Sequence, residues 1–287
     1  MSARRLHLSL QTRDQASGAV VATPRALPAD GMLIVVVDLW TRHPCRSATD
    51  DAASMIPALN DFLDAARALG VAVVFGCSGD DLARWEGTPQ RTGVTRLPDH
   101  AMPASNGFLD GHGQTGPWAS PCMCPITRLT TASHEPHFDC RRQDHDPQQD
   151  PRIAVRSTDL FIAAGHYVPA DLPSAIASWG QPAQQELWNL CRARGTTHLL
   201  YVGNATNMCV INREFGMIQM RRLGVDTLLV RDLTSAMTYV GYDPDARRLD
   251  STITPAMGTA KAVAYVETRI GPSIDSAQLL AAAAGAG

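Results

Sequence analysis

The chain repeats a pattern in which a short apolar run precedes a longer segment whose apolar residues recur at helical spacing. Four of the runs are almost continuously apolar, which is typical of strands buried on both faces of a parallel sheet. They are "MLIVVVD" (32–38), "VAVVFG" (71–76), "HLLYVG" (198–203) and "VDTLLVRD" (225–232). We predict that these runs form the centre of one sheet.

Segments with helical periodicity follow or separate these strands. They cover residues 50–70, 181–195, 207–224 and 255–271. Strands that alternate with helices form parallel sheets whose two faces are covered by the helices. The pattern therefore predicts an α/β fold, a three-layer α/β/α sandwich with a mainly parallel sheet.

The rest of the chain gives weaker signals. "LHLSL" and "GAVVAT", within the first thirty residues, predict an N-terminal hairpin, and "RIAV" (152–155) predicts one more short strand. Residues 77–151 are rich in Gly, Pro, Ser, Asp and His and show no period, which indicates a long loop insertion of the kind that often carries function. We expect a single domain over residues 1–287 with this insertion inside it.

Composition narrows the class of protein. The 287 residues are 45% hydrophobic, enough for one large core, and a net charge of −3 argues against nucleic acid or an anionic membrane as partner. The sequence lacks the apolar centre of a secretory signal near residue 1 and any apolar stretch as long as a membrane span. Seven scattered cysteines, an odd number, fit a reducing compartment better than a disulfide framework. We therefore expect a cytoplasmic protein.

Candidate chemistry lies where two of the predicted strands end. Asp38 closes the first apolar run, and "GNATNMC" places Cys209 at the start of the helix that follows the third. Ligands of parallel sheets bind at the carboxyl ends of strands. Helix N-terminal amides could stabilise a thiolate at Cys209 and hold the oxyanion formed when the sulfur attacks a carbonyl. The alternative is that Cys209 is a small buried apolar residue, as free cysteines often are.

The sequence resembles the isochorismatase-like cysteine hydrolase superfamily, which includes nicotinamidases and N-carbamoyl amidohydrolases. The resemblance rests on "IVVVDLW", "VGNATNMCV" and "GVDTLLVRDLTSAM" and covers residues 32–76 and 150–270. It implies Cys209 as nucleophile, Asp38 as the base that takes its proton, and a cis peptide bond between Asn204 and Ala205. The amides of Ala205 and Cys209 would then form the oxyanion hole, and the protein would assemble as a homodimer or homotetramer.

The chain departs from these relatives at the third catalytic position. The family has a lysine at the end of the strand that "RIAV" would form, whereas this sequence has Arg156 there. An arginine could stabilise Asp38 and an oxyanion, but it keeps its proton and relays protons poorly. Arg156 is the candidate substitute, the alternative being an ordinary surface arginine. The chain's one lysine, Lys261, falls in a late predicted helix and is expected to be solvated.

The candidate metal ligands of this chain also differ from those of nicotinamidases. Nicotinamidases bind zinc through an Asp-x-His element after the second strand, where this chain reads "FGCSGDDLARWEG" without a histidine. We therefore expect catalysis to require no cofactor. A separate group in the insertion could close a structural zinc site, or could have gathered there by chance. Its members are Cys122, Cys124, His134, His137 and Cys140.

Aromatic residues and one histidine are candidates for substrate contact. Trp40 and His43 follow Asp38 along the chain, and His43 could bind substrate or assist proton transfer. Trp85 and Trp118 in the insertion could form walls of the pocket. A solvated histidine and tryptophans that only pack the loop are the alternatives.

The predicted function is cysteine-dependent hydrolysis of a C–N bond in a small amide, ureide or related compound through a thioester. The partner is then a small-molecule substrate. The alternative is a binding or scaffold protein that kept the fold, and it is favoured if no cation lies beside Asp38. A zinc-dependent enzyme that uses the 122–140 group is the third hypothesis, and it predicts loss of activity to chelators.

Overall fold

The structure is a computed structural model. It describes residues 4–43, 46–76, 79–109, 146–165, 182–237, 242–243, 248–249, 252 and 254–285. Its strands are β1 (Arg5–Arg13), β2 (Val20–Pro28), β3 (Met32–Val37), β4 (Trp40–Arg42), β5 (Ala72–Gly76), β6 (Asp146–Gln149), β7 (Leu160–Ile162), β8 (His198–Asn204), β9 (Asp226–Ser235), β10 (Tyr242–Asp243), β11 (Arg248–Leu249) and β12 (Ser273–Ile274).

The helices are α1 (Arg46–Ala68), α2 (Gly79–Leu82), α3 (Pro89–Thr95), α4 (Pro182–Arg194), α5 (Met217–Arg222), α6 (Pro255–Tyr265) and α7 (Ala277–Ala284). A 3-10 turn spans Ala29–Gly31, and π-helical turns span Thr206–Val210 and Val266–Ile270. Helix α6 begins where its sequence predicts, because the Thr254 side chain accepts the Met257 N–H at 3.3 Å and Pro255 occupies the first turn. No helix in the described part of the chain is long and apolar enough to cross a membrane.

One sheet of eight strands organises the described residues, in the order β2-β1-β12-β9-β8-β3-β5-β7. The strands from β12 to β7 are parallel, whereas the β1–β2 hairpin joins β12 in antiparallel orientation. The sheet is therefore mixed and mostly parallel, and the predicted N-terminal hairpin extends it at one edge. Strands β4 and β6 form a separate antiparallel pair beside it.

Two apolar cores lie on opposite faces of the sheet. On β3, Met32, Ile34 and Val36 belong to the core formed with α1 and α7, while Leu33 and Val35 belong to the core formed with α4, α5 and α6. Every residue of β3 is buried, as the continuous apolar run predicts. The predicted α/β/α arrangement with a mainly parallel sheet is confirmed.

Three predicted elements differ from those observed. Residues 152–155 form a turn and irregular chain, and the edge strand is β7 instead, a few residues later. The predicted insertion 77–151 contains α2, α3 and β6 within its described part. The predicted helix 207–224 is broken before α5, near Gly216, whose N–H donates to the Arg213 carbonyl at 2.7 Å. The proposal of a single domain stays a prediction.

Candidate active site

The carboxyl ends of β3 and β8 lie in unusually close contact at the site. Gly203 of β8 is paired with Val37 of β3, and a Cβ atom on Gly203 would overlap the Val37 carbonyl oxygen. Asp38 follows with a φ of +40°, a conformation that costs free energy for a residue with a side chain. Its carboxylate is completely buried, with a side-chain exposure of 0%. The backbone thus fixes an acid at the edge of the sheet.

The turn that carries Cys209 is anchored to the neighbouring strand. Thr206 and Thr234 of β9 share a hydroxyl–hydroxyl hydrogen bond of 2.6 Å. The carboxamide of Asn207 exchanges two hydrogen bonds with the backbone of Met237, of 3.0 and 3.1 Å. The peptide bond between Asn204 and Ala205 is cis, as the resemblance implies. Cys209 lies in the π-helical turn and is buried.

A charged pair lies against the thiol of Cys209. Nη2 of Arg213 donates to Oδ2 of Asp38 at 2.5 Å, and the charges of both side chains act on the thiol of Cys209. The Arg213 N–H donates to the Cys209 carbonyl at 3.1 Å, so the two residues are one helical turn apart. Asp38 and Cys209 therefore converge as predicted, and a guanidinium accompanies them.

Arg213 was missed by the sequence analysis, which sought the cation at the end of a strand. The missed signal is the spacing of four in "CVINR", which places two side chains on the same side of a helix. Nη1 of Arg213 also donates to the carbonyl oxygen of Gly165, just after β7. The Arg213 side chain is only 11% exposed.

The expected position of Arg156 is wrong. Its guanidinium forms a bidentate pair with Asp64 of α1, at 2.8 and 3.3 Å, and its side chain is 53% exposed. The reason is the displaced strand: because the edge strand is β7, Arg156 precedes it and lies away from the carboxyl edge of the sheet. Exposed ion pairs contribute little to stability. Arg156 is thus a surface arginine and does not supply the charge beside Asp38.

The protonation of Cys209 also differs from the expected thiolate. Burial and, to a smaller extent, the negative charge of Asp38 together raise the pKa of the thiol to about 12, and Arg213 acts in the opposite direction. Desolvation disfavours an anion more than a short π-helical turn can favour it. The resting residue is therefore a neutral thiol beside an ion pair, and it needs a base.

A small cavity of ≈ 360 Å³, including its open mouth, gives access to this group. Trp40 and His43 line it and stack with ring centroids 5.3 Å apart, as expected for residues near the site. Asn204 also lines it, and its carboxamide oxygen is buried with no hydrogen-bond partner among the described residues. The remaining lining residues are Asp38, Ala48, Thr49, Ala52, Ala205, Met208, Cys209 and Met237.

The remaining candidates are not among the described residues that line this cavity. Trp85 stacks on Phe161 of β7 at 3.9 Å between ring centroids and packs against the core beneath α1, so it is a packing residue and the expected wall position is wrong. Trp118 lies outside the described residues, as do Cys122, Cys124, His134, His137 and Cys140. Within the residues that the structure describes, no three His, Cys, Asp or Glu side chains are grouped as metal ligands.

Comparison with solved structures identifies the fold. The chain superposes on a cysteine hydrolase from Pseudomonas syringae pv. phaseolicola with a TM-score of 0.51 and 16% identity, covering 91% of this chain and 96% of the other. The chain therefore has the α/β fold of that cysteine hydrolase. A scan against protein-family models finds no match, and neither does a search of the curated proteins.

Two further structures with this fold are more distant. An isochorismatase family protein from Burkholderia thailandensis gives a TM-score of 0.46 at 15% identity, covering 89% of this chain and 96% of the other. A nicotinamidase/pyrazinamidase from Acinetobacter baumanii gives 0.45 at 16% identity, covering 87% and 98%. The resemblance stated from the sequence is confirmed as structural similarity over most of the chain.

Proposed function

We propose that the protein is a cysteine-dependent hydrolase of a C–N bond in a small amide, ureide or related compound. The observation that carries the proposal is the buried Cys209 thiol, which lines one small cavity together with Asp38, the partner of Arg213 in a buried ion pair. Nucleophile and base within hydrogen-bonding reach of each other are what covalent catalysis of acyl transfer requires. The group also lies at the carboxyl ends of parallel strands, where ligands of such sheets bind.

The first half of the reaction forms a thioester. The Asp38 carboxylate takes the proton of the Cys209 thiol, and the sulfur attacks the substrate carbonyl carbon to give a tetrahedral oxyanion. The amides of Ala205 and Cys209 are the proposed donors to that oxyanion. Collapse breaks the C–N bond, and the proton held by Asp38 passes to the departing nitrogen, so a neutral amine or ammonia leaves.

The second half releases the acid. A water molecule enters the position of the departed amine and gives a proton to Asp38 while its oxygen attacks the thioester carbonyl. The C–S bond breaks, and Asp38 returns the proton to the sulfur of Cys209. The chain's own residues carry every proton in this scheme, so we propose that it requires no cofactor.

The unpartnered oxygen of Asn204 supports a substrate that carries an N–H group. A buried acceptor without a donor costs about 1–3 kcal/mol, a cost that an amide or ureide nitrogen bound in the cavity would remove. The cavity is small, and its walls are mainly apolar. Both features favour a small acyl group with a primary amide or ureide.

Ammonia release from a panel of small primary amides and ureides tests the proposal. We expect wild-type protein to turn over at least one compound and Cys209→Ala to turn over none. Cys191→Ala is the matched control, because Cys191 is also a buried free cysteine whose pKa burial raises to about 12, but it does not line the cavity. Cys191→Ala should retain turnover, whereas turnover that survives in Cys209→Ala would overturn the proposal.

The alternative function, a binding or scaffold protein, is weakened by Arg213. That hypothesis was tied to the absence of a cation beside Asp38, and a cation is present. Compounds of the panel that bind the wild-type protein without any hydrolysis would favour it. A homodimer or homotetramer and a structural zinc on the 122–140 group stay predictions, which light scattering and metal analysis of the purified protein would test.

A further inference from the structure

We propose that Arg213 is the third catalytic residue of this site, and that its fixed charge stays in contact with the negative charge wherever the proton moves. The inference rests on the proposed cysteine chemistry and goes beyond it, because it assigns the cation to a helix and not to a strand end. Arg213 donates to Oδ2 of Asp38 at 2.5 Å and follows Cys209 by one helical turn, so its charge acts on both reacting groups.

Charge conservation explains why this contact matters. At rest the group consists of a neutral thiol, a carboxylate and a guanidinium; after proton transfer it consists of a thiolate, a carboxylic acid and a guanidinium. Both states have a net charge of zero, so the transfer moves a negative charge within a buried site without creating one. The high pKa of Cys209 describes loss of the proton to solvent. Transfer to Asp38 is a different step, and Arg213 stabilises the anion on either side of it.

The guanidinium contacts the segment just after the edge strand, where the resemblance stated from the sequence implies a lysine. Family resemblance places a lysine at the end of the edge strand, which is β7 in this structure. The residues that follow β7, Ala163, Ala164 and Gly165, carry no charge. Arg213 reaches this point from the turn after Cys209 and donates to the Gly165 carbonyl. A Cβ atom on Gly165 would overlap the ring of Phe215, so the neighbouring side chains fill this space.

An arginine here has a chemical consequence. Its guanidinium does not lose a proton at any pH at which the protein is folded, and Asp38 raises its pKa further. Arg213 therefore orients and stabilises charge, while Asp38 alone carries the proton between thiol, leaving nitrogen and water. A lysine at the same point can lose its proton, because its ordinary pKa is about 10.4; burial lowers this pKa and Asp38 raises it.

The test compares Arg213→Met and Arg213→Lys with Arg156→Met, which removes an arginine of an exposed ion pair. Alkylation of Cys209 by iodoacetamide, followed by peptide mass analysis from pH 7 to 10, does not depend on the substrate. We expect Arg213→Met to slow this alkylation at least tenfold at each pH, and Arg156→Met to leave it within twofold. Arg213→Lys should keep its rate of Cys209 alkylation near neutral pH. As the lysine loses its charge towards higher pH, this rate should approach that of Arg213→Met, a change that a merely structural role would not produce.

Turnover of the best amide of the panel gives a second readout. The wild-type kcat/KM should show no fall at high pH from loss of the cation, whereas Arg213→Lys should gain one. If Arg213→Met and wild-type protein have equal alkylation rates, or if Arg213→Lys is alkylated as slowly as Arg213→Met near neutral pH, the inference is overturned. A protein that hydrolyses nothing but shows the expected alkylation series would contradict the proposed function and leave the role of Arg213 intact.

Discussion

Gly203 of β8 lies directly against Val37 of β3, so close that a side chain at Gly203 would overlap the Val37 carbonyl oxygen. Gly203 also has a φ of +100°, which residues with a Cβ atom rarely adopt. Since Asp38 and the Cys209 turn begin at the next residues of these two strands, this backbone contact sets the separation of base and nucleophile. The site therefore depends on a residue that touches no substrate.

Gly203→Ala is expected to destabilise the protein and to impair the site. Backbone strain and overlap with a backbone atom act together, and backbone atoms cannot move aside as a flexible side chain can, so we expect a loss of about 2 kcal/mol or more in the free energy of unfolding. Urea unfolding measures it. Gly70→Ala is the control: Gly70 also has a positive φ, +83°, but a Cβ atom there meets open space. Equal losses in both variants would show that φ alone is responsible.

Asp38→Asn is expected to abolish most turnover, because the amide keeps the shape of the carboxylate and cannot take the proton of Cys209. General bases contribute about 10²–10⁴-fold, and kcat should fall within that range. The variant also leaves the guanidinium of Arg213 buried without its anion, so the free energy of unfolding should fall by about 3–5 kcal/mol.

Asp64→Asn is the matched control for this variant, because Asp64 is a half-exposed carboxylate that pairs with Arg156 and Arg67, and Arg67 keeps Asp159 as a second partner. It should change the free energy of unfolding by less than ~1 kcal/mol and leave turnover unchanged. Circular dichroism establishes that Asp38→Asn is folded before kinetics are measured. A loss below tenfold in kcat of folded Asp38→Asn would mean that Asp38 is not the base.

Asn204→Leu is expected to discriminate between an amide and an ester of the same acid. If the carboxamide oxygen of Asn204 accepts a substrate N–H, its removal should lower kcat/KM for the primary amide about tenfold, or ~1.4 kcal/mol. The methyl ester has no N–H at that position and should lose much less. Equal losses for the two substrates would point to a disturbed pocket and not to recognition of the amide nitrogen.

The central strands of the sheet could be predicted because their burial restricts which residue types the sequence has there. A strand such as β3, buried on both faces, must be apolar at every position, and this pattern does not depend on any distant contact. Asp38 and Cys209 could be found for a related reason, since polar residues directly after such strands fall at the edge where ligands bind.

Arg156 and Arg213 show that the cation of the site could not be predicted from the sequence. Strand β7 has three residues, too few to establish a period, so the cation was assigned to the wrong side of it. The path of the Arg213 side chain, back towards Asp38 and Gly165, depends on the break in the helix before α5 and on contacts distant in sequence. The protonation of Cys209 likewise follows from burial on all sides, which a single segment does not specify.

Alkaline pH is expected to destabilise the protein through its buried thiols. Burial raises the pKa of both Cys191 and Cys209 to about 12 from an ordinary value of 9.0. Between these two values the unfolded chain loses thiol protons that the folded protein keeps. The stabilisation from keeping these thiols neutral is therefore fully present below pH 9 and is lost as the pH rises towards 12. The slope is about 1.4 kcal/mol per pH unit for each thiol.

Cys191→Ala isolates one of these contributions without touching the ion pair of Asp38 and Arg213. Urea unfolding at pH 8.5 and pH 10 should give a decrease in the free energy of unfolding that is about 1 kcal/mol smaller in Cys191→Ala than in wild-type protein. The packing lost with the sulfur is the same at both pH values, so it cancels in this comparison. Burial and, to a smaller extent, Cys191 raise the pKa of Tyr201 well above its ordinary value; because burial alone keeps the folded phenol protonated at pH 10, its contribution is the same in both proteins and cancels too. Equal decreases in the two proteins would mean that the Cys191 thiol ionises in the folded state, against the effect of its burial.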